Sequence, residues 1–82
     1  MISNQVLQST IDSLKGIARL DIAIADIDGK VLATTFQEDR DVSEMVVSFA
    51  ASQADSQAAG GYQFFKIFDE HQLEYVLMVE GT

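Results

Sequence analysis

The chain has no cysteine and one histidine, His71, among 82 residues. The first absence excludes disulfides, thiolate metal sites and cysteine nucleophiles, and fits an intracellular origin. The second leaves zinc without a set of imidazole ligands. Basic residues are also scarce: five Lys and Arg face thirteen Asp and Glu, for a net charge of −8. Such a field repels phosphate backbones and anionic headgroups, so this segment does not hold DNA by itself. No apolar run approaches the ~18 residues of a membrane span. The start Met1-Ile2-Ser3-Asn4-Gln5 lacks the basic and apolar regions of a signal peptide. The expectation is a cytoplasmic protein with no membrane contact.

What remains is enough for a core. With 48% hydrophobic and 22% charged residues the composition is that of a folded chain. A domain this short buries only about 60–65% of its unfolded surface, so dimerisation would help it. Residues 1–82 read as one sensor-type domain. Because Gly81-Thr82 follows directly on a strand, the segment reads as the N-terminal part of a longer protein.

Val6, Leu7, Ile11, Leu14, Ile17 and Ala18 fall at helical spacing from Ser3 to Ala18, with Ser3 or Asn4 as cap. Within that helix Leu7, Ile11, Leu14 and Ala18 step by four, three and four, which suits either the helix's own sheet or a seam in a homodimer. Leu20–Ala25 reads as a strand with a large face (Leu20, Ile22, Ile24) and a small one (Ala23, Ala25). Asp26-Ile27-Asp28-Gly29-Lys30 supplies a turn, and Val31–Thr35 returns as the second strand. Asp41-Val42-Ser43-Glu44 has the form of a capping box opening a helix that runs to about Gln53. Ala54–Gly61 reads as a flexible small-residue lead into the next strand. Tyr62–Phe68 and Leu73–Glu80 read as a hairpin about the loop Asp69–Gln72, with Leu73, Tyr75, Leu77 and Val79 on one face. The order α-β-β-α-β-β predicts an α+β fold, an antiparallel sheet of about four or more strands with its helices on one face, the layout of PAS-like and profilin-like domains.

Catalytic chemistry finds no centre in this pattern. Asp26 and Asp28 lack the further oxygen ligands of a calcium loop, since Lys30 and Val31 follow, and Gly60-Gly61 lacks the pattern of a phosphate loop. No enzyme activity, metal or cofactor is expected. For binding, the start of the second helix offers free N–H groups beside Arg40, although Asp41 competes for them. Tyr62, Phe64, Lys66 and Phe68 would line a pocket or pack beneath a helix.

Asp26-Ile27-Asp28-Gly29-Lys30-Val31-Leu32-Ala33-Thr34-Thr35, after a helix and an apolar strand, resembles the N-terminal sugar-diacid recognition domain of carbohydrate-diacid (PucR-type) helix-turn-helix transcriptional regulators. Of that family's Arg-Ile-Gly and following His, only Arg40 has a loose counterpart. The resemblance implies a ligand-sensing and dimerising domain of a bacterial regulator responding to a small carboxylate. DNA would then be held through a C-terminal domain outside this chain. A carboxylate would lie between sheet and second helix, lined by Arg40, Thr34, Thr35, Tyr62 and Lys66. The alternative is a structural dimerisation module of roadblock-like layout without a ligand.

Overall fold

The computed structural model describes residues 3–37 and 41–81. Helix α1 spans Asn4–Ala18, and the Ser3 hydroxyl caps it by accepting the Val6 N–H at 3.2 Å. It stops at Arg19, whose left-handed backbone (φ 57°) lets its N–H close on the Lys15 carbonyl. Five strands follow with one more helix: β1 Leu20–Asp26, β2 Val31–Thr34, α2 Ser43–Ala51, β3 Ser56–Ala59, β4 Tyr62–Asp69 and β5 Gln72–Gly81. All neighbours pair antiparallel in the order β2-β1-β5-β4-β3. The fold is α+β, as the sequence indicates.

Strand β1 is interior, between β2 and β5, and has both faces covered, as its alternation requires. Ile22 and Ile24 point toward α1, where they pack with Leu7, Ile11, Ala33 and Tyr75. Ala23 and Ala25 point the other way, where Val46 and Phe49 of α2 meet Tyr62, Phe64, Val76 and Met78. The helices therefore lie on opposite faces of the sheet, which corrects the expectation of one shared face. Helix α1 lies over β1 and β2, whereas α2 lies over β4 and β5 on the other face. Phe49 and Phe64, each fully buried with rings 5.8 Å apart, anchor the α2 side; burying such a side chain is worth roughly 1.5–3 kcal/mol.

Two turns differ from expectation. Ser56–Ala59 is a strand and not a flexible lead, because its backbone pairs with Phe65 through Tyr62 across the tight turn Gly60-Gly61. The β4–β5 hairpin closes through only Glu70 and His71, both with positive φ (52° and 69°), while Asp69 and Gln72 already pair. Helix α2 ends at Ala51, two residues short of Gln53, where the Ser52 N–H and hydroxyl both turn back to the Phe49 carbonyl.

The β1–β2 turn is organised by Asp26. Its Oδ1 accepts the N–H groups of Asp28 and Lys30, each at 3.0 Å, and its carbonyl accepts that of Gly29. Gly29 sits at φ 92° against the first residue of α2, where a Cβ would lie 2.9 Å from the Ser43 carbonyl oxygen. One turn thus fixes both the hairpin and the seat of the second helix.

Candidate functional site

Of the residues expected around a carboxylate, those described already make internal contacts. Arg40 lies outside the described residues. The Thr35 hydroxyl is taken up between β1 groups: it accepts the Ile22 N–H at 2.9 Å and donates to Asp21, which Lys15 also contacts. The Thr34 hydroxyl accepts the Phe36 N–H. Tyr62 is buried under α2, edge-on to Phe36 and Phe64. Lys66 crosses the Phe49 ring and donates to the Ser52 carbonyl, so its charge sits at the C-terminal end of α2. These partners are 14 residues away in both the Thr35–Asp21 and Lys66–Ser52 pairs, which is why local sequence gave no sign of them.

At the start of α2 the Ser43 groups are likewise taken up. The Asp41 carboxylate accepts both the Ser43 N–H (3.1 Å) and the Ser43 hydroxyl (2.7 Å). The helix cap itself is Val42, so Asp41 acts as the head of an Asx turn and not as a capping-box residue. These bonds, the hydroxyl first, hold its carboxyl below the usual carboxylate range. An open depression of about 340 Å³ beside it is lined by Asp28, Ser43, Glu44, Val47 and Ser48. Its only charged groups are carboxylates, which repel an anion.

Among the described residues no group of three or more His, Asp or Glu side chains is placed to hold a metal, and no buried side-chain polar atom lacks a partner. Among the described residues no helix is long and apolar enough to cross a membrane.

A different surface stands out. Helix α1 lies chiefly over β1 and β2 and reaches β5 at Tyr75, so on its side of the sheet β4, β3 and the rest of β5 lie beyond the helix. The cross-strand rows there are Leu77–Phe65–Ser56 and Val79–Gln63–Ala58, with Tyr75–Ile67 beyond. None of these residues is charged. Phe65 is 38% exposed, and Leu77, Val79 and Ile67 are half-buried.

The chain matches no family model, no curated protein and no solved structure. Its own geometry has to carry the functional reading.

Beside the bare strip stands the unpacked side of α1. Of the expected seam, Leu7 and Ile11 are 7% and 1% exposed in the chain's own core, while Leu14 (46%) and Ala18 are outward. Half of that seam is therefore spent on the sheet. The exposed apolar side is rotated from it: Val6, Leu14 and Ile17, the last 82% exposed. Sequence spacing alone did not separate the two sets, because 7-11-14-18 and 6-10-14-17 both fit a helix.

Proposed function

We propose that this domain is a non-catalytic self-association module, the part of a larger regulatory protein that brings two copies together. The observation that carries this reading is the uncharged strip of Phe65, Leu77, Val79 and Ile67 lying beside the exposed Leu14 and Ile17 on a chain of net charge −8. An exposed apolar patch of this kind marks an interaction surface, and like-charged copies repel least where neither carries charge.

The resemblance of Asp26–Thr35 to carbohydrate-diacid regulators supports placing such a module in a bacterial regulator, with DNA held by another domain. Sensing of a small carboxylate has weaker support, since Thr35, Tyr62 and Lys66 already serve internal contacts. A dilution series followed by amide shifts tests the reading. Concentration-dependent shifts confined to α1, β3, β4 and β5 are expected; shifts absent, or centred on α2, contradict it. Adding glucarate to the same sample tests the sensing alternative, which needs saturable shifts near Thr34 and Lys66.

A further inference from the structure

We infer that the second copy docks with its helix α1 in the bare trough over β3, β4 and β5, each helix filling the trough of the other copy. This rests on the self-association reading and specifies its geometry.

The orientation of α1 comes from one contact. Gln8 reaches the outer edge of β2 at Thr34, so the flank of α1 bearing Gln8 faces away from the sheet centre. At 100° per residue the opposite flank bears Val6, Thr10, Leu14 and Ile17. That flank rises as a wall above the trough, and the sheet is its floor. Both charged residues of α1, Asp12 and Lys15, fall on the Gln8 side, leaving the wall without charge.

Between the flanks, pointing away from the sheet, lies a narrow crest of Ser9, Ser13 and Gly16. Gly16 has no side-chain or backbone neighbour at its Cβ position. The hydroxyls of Ser13 and Thr10 already donate to the Ser9 and Val6 carbonyls, so covering those two side chains strands no donor. Small crest residues allow close approach, and the bulk that would meet them is Phe65 and Leu77 of the second copy. Crest and trough are thus complementary within one chain, which is what an isologous interface requires.

The dimensions agree. Three strands spaced at ~4.8 Å make a floor about 14 Å wide, the width of one helix with its side chains, ~10–12 Å. A twofold axis parallel to α1, between wall and trough, sets the two helices side by side and parallel between the two sheets. Val6, Thr10 and Ile17 of one then face the same residues of the other. Each helix footprint is about 22 by 10 Å. Both surfaces of both helix-on-sheet contacts then total on the order of 900 Å² before the helix–helix seam is added, near the ~1,000 Å² that a specific interface needs.

The test is isotope-filtered NOE spectroscopy on a dimer mixed from labelled and unlabelled chain. Contacts between the Ser9 and Ser13 side chains of one copy and the Phe65 ring of the other are expected. A dimer whose intermolecular contacts lie elsewhere, for instance along the β3 edge, overturns this geometry while leaving self-association intact; a monomer overturns both. Ser13→Glu, an exposed helical position, should keep the helical circular dichroism and halve the mass from twice 9.0 kDa to 9.0 kDa. Ser48→Glu on the exposed side of α2 should leave the mass unchanged. A dimeric Ser13→Glu chain counts against the docked helix as well.

Discussion

The side-chain amide of Gln8 pairs with the backbone of Thr34 as a sixth strand would: its Nε2 donates to the Thr34 carbonyl at 2.8 Å and its Oε1 accepts the Thr34 N–H at 3.0 Å. Strand β2 is the edge of the sheet, and an edge with unpaired groups is a template for unwanted pairing. One glutamine closes it and ties α1 to the sheet 26 residues further along the chain. Gln8→Ala should cost about 1–2 kcal/mol in urea unfolding, the worth of two partly exposed hydrogen bonds. It should also speed amide exchange at Thr34 selectively. Unchanged exchange there would mean that the pairing does not persist in solution.

The β4–β5 turn stores strain that can be relieved. Glu70 and His71 both adopt left-handed backbone conformations, which cost an L residue with a side chain roughly 1–2 kcal/mol compared with glycine. Asn-Gly is the pair that such two-residue turns favour. Glu70→Asn combined with His71→Gly should therefore raise stability by about 1–2 kcal/mol, seen as a higher thermal midpoint with the same spectrum. A lower midpoint would show that one of the two side chains makes a contact worth more than the strain.

The opposite sign is expected at Gly29. Its positive φ and the 2.9 Å approach of a Cβ to the Ser43 carbonyl oxygen act together. Gly29→Ala should lose at least about 2 kcal/mol, and the shift changes should appear in both the β1–β2 turn and the first turn of α2. Changes limited to the turn would separate the hairpin from the helix it seats.

Asp41 gives a pH dependence with a definite direction. Its folded pKa lies below the ordinary 3.8 because Ser43 donates to the carboxylate. A depressed carboxylate favours the folded state above the unfolded pKa, and that contribution is lost as pH falls from about 3.8 through the lower folded value. In Ser43→Ala the Asp41 carboxyl should titrate closer to 3.8, and the acid limb of the stability profile should flatten. A carboxyl titration that does not move on substitution would remove Ser43 as the cause.

The elements legible in the sequence were those carried by strong local patterns. Ser3 as cap, the large and small faces of β1, and the Asp26–Gly29 turn all follow from residue type and spacing. Strand β3 was hidden because Ser56, Gln57, Ala58 and Ala59 have little strand preference; their pairing with β4 makes them a strand. The placement of the helices on opposite faces was hidden too, since alternation in β1 says that both faces are covered but not by which helix. The candidate surface was half visible. Exposed apolar residues on α1 were there to read, but Gln8 bonding to Thr34 decides which flank faces outward, and that contact spans a turn and two strands.

Sedimentation equilibrium over a concentration series tests self-association through the β4–β5 strip most directly. The wild-type chain should approach twice 9.0 kDa as concentration rises, and Phe65→Glu, which places a charge in the middle of the strip, should stay at 9.0 kDa. A wild-type chain that remains at 9.0 kDa throughout, or a Phe65→Glu chain that dimerises as the wild type does, would contradict it.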